Sequence, residues 1–275
     1  MNQIRFDDQV VLVTGSGRGL GAAYARAFGA RGAWVVVHDA GVEPNGRGFD
    51  PSFADGVAAE IGARAAACYE DLASEEGCRR VVDFALNRYG RLDVIVHNAG
   101  LLVWEEFEQA HRGWESLRRV NVDAPFHVTR FALPSMKGQG YGRFVFTTSG
   151  RAMTLESARP GLAAYAVGKM AHFALMLVTA VEGEPHGIRA NAVAPVAATR
   201  MFRRRVEPGE LAPEKVAPAV LFLASSACTF SGKVLEAGGG SFDVARWVAS
   251  DEVDLQTNNP EAIAERWNAI EGRRQ

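Results

Sequence analysis

The sequence of 275 residues is poor in cysteine, in net charge and in long apolar runs. Its three cysteines, Cys68, Cys78 and Cys228, lack metal-ligand spacing and are odd in number, so we expect no disulfide framework and no metal site. A formal net charge of -2 provides no global attraction to nucleic acid or to an anionic membrane. The N-terminus lacks the apolar core of a secretory signal, and no run of 18 apolar residues occurs, so we expect a cytoplasmic protein without a membrane anchor.

Short apolar runs alternate with longer segments of helical spacing. The runs are VVLVTG, AWVVVHD, LDVIVHNAG and GRFVFTTSG, and the segments between them include AAYARAFGAR and EEGCRRVVDFALNRYG. The runs are apolar almost throughout, which is typical of strands that are covered on both faces. The alternation therefore predicts an α/β protein with a doubly wound parallel sheet in a single domain.

Two segments depart from this alternation. Residues 41–56 read GVEPNGRGFDPSFADG, and their glycines and prolines predict a long surface loop. Residues 241–275 follow a glycine cluster and contain Trp247 and Trp267, which are unfavourable to leave in water. We therefore predict a domain over residues 1–240 and a tail over 241–275 that packs on the body or on a neighbouring subunit.

A glycine-rich turn follows the first predicted strand. Gly15, Gly19 and Gly21 stand between this strand and a helix, where a glycine turn lets the backbone approach a pyrophosphate. Glycine turns also occur for steric reasons alone, but here the second strand ends at Asp39, where a carboxylate can bind the adenosine ribose. Asp39 would repel a 2′-phosphate and therefore favours NAD over NADP. Arg18 could pair with that phosphate and so favours NADP.

A tyrosine and a lysine occur four residues apart in the segment YAVGK. On a helix, Tyr165 and Lys169 share one face. A phenol with a pKa of about 10 is a poor base at neutral pH, but a neighbouring ammonium and a positive nicotinamide ring both lower that pKa. Such a pair alone is more often a surface pair. Together with the glycine turn, it favours Tyr165 as the proton-transfer residue and Lys169 as the group that tunes it.

These motifs together resemble the short-chain dehydrogenase/reductase family. They are TGSGRGLG, Asp71-Leu72, HNAG at 97–100, Asn121, Ser149 and YAVGK, and the resemblance extends from Gln9 to Gly240. It implies a Rossmann fold and an NAD-dependent enzyme that interconverts a secondary alcohol and a ketone. The segments VVVHDAG, YGRFVFTTSG, VAPAVLFLAS and NNPEAIAERWNAI resemble the (3R)-hydroxyacyl-CoA dehydrogenase branch, which makes a 3-hydroxyacyl-CoA the first-choice substrate.

The resemblance also implies roles for further residues. Ser149 would hydrogen-bond the substrate oxygen, and Asn121 would support Lys169 in a proton relay. Ser149 precedes Tyr165 by 16 residues, a longer interval than is usual in the family, so Thr147 and Thr148 remain alternative hydroxyls. The residues expected to contact the cofactor are Gly15, Gly17, Arg18, Gly19, Leu20, Gly21, Asp39, Asp71, Leu72, Asn98, Ala99, Gly100, Tyr165, Lys169, Pro195 and Thr199.

Some positions depart from the family pattern or allow two interpretations. His97 replaces the usual asparagine and is interpreted as structural, whereas Val196 replaces the glycine after Pro195 and puts the local turn in doubt. Asn98 could also serve only to satisfy backbone groups. Residues 199–210 read TRMFRRRVEPGE. Their arginines form either a solvated helix end or a site for coenzyme A phosphates, with Met201 and Phe202 facing the acyl chain.

Three alternative functions stay open. One is a dehydrogenase or reductase for another secondary alcohol, such as a hydroxysteroid or a cyclic alcohol. Another is an NADP-linked reductase, and the third is a non-catalytic dinucleotide-binding protein. The complete set of Asn121, Ser149, Tyr165 and Lys169 argues against the third, since a binding protein needs no proton-handling groups. Because the family usually assembles as dimers or tetramers, we expect a homodimer or homotetramer whose ligands are small molecules.

Overall fold

The chain forms an eight-stranded sheet in the computed structural model, which describes residues 3–42, 48–198, 207 and 209–272. The strands are β1 Val10–Thr14, β2 Trp34–His38, β3 Ala65–Cys68, β4 Val94–His97, β5 Gly142–Thr147, β6 Ile188–Val196, β7 Val234–Gly238 and β8 Ser241–Ala245. Their order across the sheet is β3-β2-β1-β4-β5-β6-β7-β8, and the pairs from β3 through β7 are parallel. The predicted doubly wound parallel sheet is therefore confirmed.

Helices connect the strands. They are α1 Gly19–Gly29, α2 Ser52–Ile61, α3 Glu75–Tyr89, α4 His111–Arg118, α5 Ala124–Gln139, α6 Gly150–Met153, α7 Ala163–Gly183, α8 Ala217–Ala224, α9 Pro260–Glu265 and α10 Trp267–Glu271. A π-helical turn, Arg119–Asp123, joins α4 to α5. Helix α1 contacts α2 and α8, whereas α5 contacts α3 and α7. These two groups cover the two faces of the sheet, as right-handed crossovers between parallel strands require.

The central strands form the core because their side chains are apolar on both faces. Every residue of β1, β4 and β5 is buried. The chain runs from β1 outward to β2 and β3, then returns to β4 on the other side of β1. At such a switch point the loops after the two central strands diverge and open a crevice at the carboxyl edge of the sheet. The glycine turn follows β1 and the HNAG segment ends β4, so both motifs lie at this crevice.

The surface loop predicted over residues 41–56 is wrong at its C-terminal end. Helix α2 already begins at Ser52, whose N–H donates to Oδ1 of Asp50 (2.9 Å). Ala54 and Val57, one helical turn apart, are buried in the core. Burial of these two side chains and the hydrogen bond from Ser52 to Asp50 favour a helix over the loop that the local glycines and prolines suggested.

The chain divides into two compact units, Met1–Val244 and Ala245–Gln275. Strand β8 follows β7 after Gly239 and Gly240, which have φ angles of +61° and +95°. The second unit contains α9 and α10, and within it the Ser250 hydroxyl donates to the carbonyl of Ile270 (2.5 Å). Packing of this tail on the body or on a neighbouring subunit stays a prediction.

Helix α7 and the 3₁₀ turn that follows it, Ala163–His186 in all, form one stretch of the described chain that is long and apolar enough to cross a membrane. The core helix of a soluble protein meets the same criterion. Here α7 packs against β5 and β6 and carries the buried polar side chains of Lys169 and His172. These contacts are those of a helix on the face of a globular sheet.

Candidate active site

In the glycine turn after β1, the backbone at Gly15 lies close to the backbone of the first turn of α1 at Gly21. Gly15 and Gly19 have φ angles of +65° and +56°, which favour glycine. A Cβ atom on Gly21 would lie 2.2 Å from the Gly15 carbonyl oxygen, and one on Gly17 would lie 2.7 Å from Cβ of Phe53. The turn leads directly into the N-terminus of α1, where Arg18 supplies no capping side chain. A cradle that any Cβ would fill, at a helix N-terminus, fits the pyrophosphate of a dinucleotide.

Asp39 is fixed against this turn. The residue is buried, its Oδ2 accepts a hydrogen bond from the N–H of Gly17 (2.9 Å) and its Oδ1 accepts one from the N–H of Gly41 (2.8 Å). The Arg18 guanidinium donates to the carbonyl of Val42 (2.7 Å), and its Cζ lies 3.8 Å from the centre of the Phe53 ring. Both side chains line the cleft, but one N–H donor of Arg18 is already used in the hydrogen bond to Val42.

The segment after β4 joins the glycine turn to the other half of the cleft. The Asn98 amide donates to the carbonyls of Thr14 (3.0 Å) and Gly15 (2.9 Å), which holds the turn in place. Asn98, Ala99 and Gly100 also line the cleft. The alternative interpretation of Asn98, as a group that satisfies backbone carbonyls, is thus compatible with a place at the cofactor site.

Asp71 and Leu72 follow β3 at the same edge of the sheet. Asp71 is exposed and its Oδ1 accepts from the N–H of Ala73 (2.9 Å), whereas Leu72 is buried. Both residues and Leu20 line the cleft near the glycine turn. Their positions are compatible with the adenine contacts that the family resemblance implies.

Asn121 lies at the centre of the π-helical turn and is fully buried. Its Oδ1 accepts from the N–H of Leu101 (2.8 Å) and its Nδ2 donates to the carbonyl of Leu101 (2.9 Å). A Cβ on Gly168 would lie 2.6 Å from Cβ of Asn121, so α7 packs directly on this turn. A π-helical turn is common at functional sites, and this one holds Asn121 behind the helix that carries Tyr165.

Ser149 is the hydroxyl that meets Tyr165. It caps α6 by accepting from the N–H of Arg151 (3.3 Å), and its hydroxyl lies near enough to the phenol to lower the pKa of Tyr165. The Thr148 hydroxyl instead donates to the carbonyl of Lys169 (2.8 Å), which anchors α7. Thr147 lines the cleft, and its hydroxyl has no partner among the described residues. The long interval before Tyr165 accommodates α6, and the geometry favours Ser149 over the two threonines.

Burial controls the charge of the proton-transfer pair. It raises the pKa of Tyr165, against the opposing effects of the nearby Ser149 hydroxyl and of the positive charge of Arg151. It lowers the pKa of Lys169 to about 8, and the Lys169 Nζ lies 5.8 Å from the centre of the Tyr165 ring. That Lys169 lowers the pKa of Tyr165 stays a prediction, and the positive charge of Arg151, which we did not predict, also lowers it. Its sequence signal is a basic residue two positions after the serine.

Two buried histidines stand behind Lys169. The Nε2 of His97 lies 3.0 Å from the Thr129 hydroxyl, and its ring stacks on Phe146 at 4.7 Å, which agrees with a structural role. His172, on α7, is 1% exposed, and neither ring nitrogen has a hydrogen-bond partner in the described part of the chain. Burial and the positive charge of Lys169 hold its pKa well below the ordinary value, so the ring is neutral.

The cleft has a volume of about 1720 Å³, which is ample for a dinucleotide and a substrate. Pro195 and Val196 line it at the end of β6, which continues as a strand through Val196 despite the missing glycine. Thr199 and the basic segment 200–206 lie outside the described residues. At Gly100 the segment after β4 meets both α7 and the π-helical turn. A Cβ on Gly100 would lie 3.3 Å from Nζ of Lys169 and 3.5 Å from Oδ1 of Asn121.

Comparison with known proteins agrees with this architecture. The short chain dehydrogenase family model matches residues 9–209. The peroxisomal multifunctional enzyme type 2 of Mus musculus is 39% identical over 97% of the chain, which spans only 37% of that enzyme. A short chain dehydrogenase from Mycobacterium avium superposes with a TM-score of 0.84 and 31% identity over 98% of this chain and 97% of that one. The 3-ketoacyl-(acyl-carrier-protein) reductase from Brucella melitensis, solved with NADH, has a TM-score of 0.76 and 29% identity over 86% and 98%.

The fold and the site define an oxidoreductase that acts on CH–OH groups with a nicotinamide dinucleotide. The chain belongs to the short-chain dehydrogenase/reductase family.

Proposed function

We propose that the protein is an NAD-dependent dehydrogenase that oxidises the secondary alcohol of a 3-hydroxyacyl thioester, with 3-hydroxyacyl-CoA as the first choice. The observation that carries the cofactor preference is the buried Asp39 carboxylate, held against the glycine turn where the adenosine ribose would lie. A negative charge there disfavours a 2′-phosphate. The substrate class is supported by the similarity to a 3-ketoacyl reductase that was solved with NADH.

The residues fit the cofactor along the whole crevice. The glycine turn would hold the pyrophosphate, and Asp39 would bind the adenosine ribose. Asp71 and Leu72 would hold the adenine, and the segment 98–100 would line the ribose side of the cofactor. When bound, the oxidised nicotinamide would supply the hydride acceptor and a positive charge near the phenol.

The chain itself provides the proton chemistry. Tyr165, as the phenolate, would take the proton of the substrate hydroxyl as the carbinol C–H bond gives up its hydride and the C=O bond forms. The Ser149 hydroxyl, which lies near the phenol, would orient the same substrate oxygen. Lys169 is placed to favour the phenolate when protonated, and Asn121 holds the loop that packs beside it. The net change is an alcohol and NAD converted to a ketone, NADH and a proton.

The test begins with NADH formation from NAD and a panel of substrates: a (3R)-hydroxyacyl-CoA, a hydroxysteroid and a cyclic alcohol. We expect turnover to be fastest with the acyl-CoA. The variant Tyr165→Phe should lose at least about 100-fold in kcat, the usual contribution of a positioned acid or base, and should still bind NAD. Tyr89→Phe, whose ring packs against Trp34, is the matched control and should keep its activity.

Two outcomes would contradict the proposal. Absence of turnover with every substrate, together with tight NAD binding, would favour a non-catalytic dinucleotide-binding protein. If Tyr165→Phe retained most of its kcat, another group would have to move the proton.

A further inference from the structure

Arg151 lies beside the reacting groups on the first turn of α6. It follows Ser149 by two residues, and its backbone N–H donates to the Ser149 hydroxyl (3.3 Å). Its half-buried side chain lines the cleft, with Cζ 5.8 Å from the centre of the Trp104 ring. The guanidinium is therefore held at the wall of the cleft by an element that Ser149 itself caps.

The guanidinium of Arg151 has no hydrogen-bond or ion-pair partner in the part of the chain that the structure describes. The neighbouring arginines of the cleft are engaged: Arg119 pairs with Glu115 (2.9 Å), and Arg159 donates to the carbonyls of Glu156 (2.9 Å) and Ala158 (2.7 Å). Arg151 makes no ion pair or side-chain hydrogen bond to any described residue, although a guanidinium carries five N–H donors. A half-buried cation with unused donors lies here in the cleft wall, where a ligand oxygen can satisfy it.

The charge of Arg151 already acts on the reaction centre. Its positive charge lowers the pKa of Tyr165, so the guanidinium lies within electrostatic range of the phenol that takes the substrate proton. A substrate whose alcohol oxygen lies between Ser149 and Tyr165 would place the atoms next to its carbinol carbon along the cleft wall that Arg151 also lines. In a 3-hydroxyacyl group, that region holds C1 and its oxygen. A planar fork of N–H donors suits a carbonyl or carboxylate oxygen better than a point charge does.

We infer that Arg151 binds the C1 oxygen of the substrate's 3-hydroxyacyl group, and that it thereby selects such substrates over simple secondary alcohols. The inference rests on the proposed function and deepens it. The C1 oxygen can belong to a thioester or to the carboxylate of a free 3-hydroxy acid, and both present an acceptor two carbons from the reacting alcohol. A simple secondary alcohol presents none.

The test compares wild type, Arg151→Met and Arg151→Lys on three substrates with a common chain: a 3-hydroxyacyl-CoA, the free 3-hydroxy acid and a secondary alcohol without C1 oxygen. For substrates that bind through Arg151, we expect Arg151→Met to lower kcat/KM at least about tenfold, the loss typical of a hydrogen bond to a charged group. The simple alcohol should change much less when each variant is compared at its own pH optimum. Arg151→Lys should recover part of the loss, because it keeps the charge but not the fork. Arg79→Met, an exposed arginine on α3, is the control for a lost surface charge.

A second measurement separates substrate binding from a structural defect. Arg151→Met should shift the pH profile of kcat to higher pH with every substrate, since the phenol loses a neighbouring positive charge, while the Kd of NAD stays unchanged. A tenfold loss on the thioester, on the free acid or on both supports the inference and identifies the source of the oxygen. Equal losses on all three substrates, or no loss on any, would overturn it. If wild type oxidises only the simple alcohol, the proposed function fails first, which is a distinguishable result.

Discussion

At the residue scale, the proposed preference for NAD over NADP depends on Asp39. Its two carboxylate oxygens accept from the N–H groups of Gly17 and Gly41, so the charge cannot swing away from the turn. Arg18, the residue that could favour a 2′-phosphate, is bound to the Val42 carbonyl and lies over the Phe53 ring. The negative charge of Asp39 is therefore fixed at the site, whereas Arg18 would have to give up existing contacts before it could bind a 2′-phosphate.

The first prediction at this scale concerns Asp39. Wild type should bind NADH at least about tenfold more tightly than NADPH, because 1.4 kcal/mol of repulsion at a buried carboxylate corresponds to that ratio. Asp39→Asn removes the charge and should bring the two affinities closer together. Fluorescence titration of both reduced cofactors measures the ratio, and Asp83→Asn on α3 controls for a lost surface charge. Equal affinities in wild type would show that Asp39 does not discriminate.

At the element scale, α7 serves two surfaces at once. One face carries Tyr165, Lys169 and His172 toward the cleft and the core. The opposite side leaves apolar residues in water, with Val178 55% and Val181 73% exposed. This surface explains why the helix is apolar enough to resemble a membrane span. Apolar surface on a helix of a globular domain is typical of contacts between protein chains.

We predict that a second copy of the chain covers this face of α7, in line with the dimers and tetramers usual in the family. The double variant Val178→Glu, Val181→Glu should shift the protein toward the monomer in sedimentation. Each chain would have to bury two carboxylates in the interface, close to the same two carboxylates of the second copy. The far-ultraviolet circular dichroism should stay unchanged. Leu155→Glu, at a residue that is 88% exposed after α6, is the matched control. An unchanged oligomeric state in the double variant would remove α7 from the interface.

At the scale of the whole molecule, buried histidines tie stability to pH. His38, His97 and His172 are at most 2% exposed, and burial lowers the pKa of each, that of His97 to about 3. The unfolded chain, with histidine pKa values of about 6.5, binds more protons than the folded chain below that pH. The contribution of these histidines to stability is therefore present above about pH 6.5 and is lost as the pH falls below it.

The prediction follows directly. The free energy of unfolding, measured with urea, should decline between about pH 6.5 and about pH 5, above the range in which most carboxylates protonate. His97→Asn should make this decline shallower, since one buried imidazole is gone, whatever its effect on the absolute stability. His111→Asn, at an exposed position, should leave the slope unchanged. A free energy of unfolding independent of pH in this window would mean that the three histidines can be protonated without unfolding the protein.

Much of the fold could be predicted from the sequence because its signals are local. Valine-rich runs, turns and helical spacing each lie within a few neighbouring residues, and they predicted the parallel sheet that the structure shows. The start of α2 at Ser52 was missed because glycine and proline in the preceding segment outweighed two buried apolar positions, Ala54 and Val57. Which residues are buried depends on distant parts of the chain, and no local pattern contains that information.

The sequence by itself determined the glycine turn, the acid at the end of β2 and the spacing of Tyr165 and Lys169. The arrangement in three dimensions was needed to favour Ser149 over Thr147 and Thr148 as the hydroxyl near the phenol, and to show that the charge of Arg151 also acts on it. The physical reason is that a spacing within one helix is set by the backbone hydrogen bonds of that helix. A contact between a strand end, a short helix and a long helix is instead set by how these elements pack, which the core residues of the whole sheet determine together.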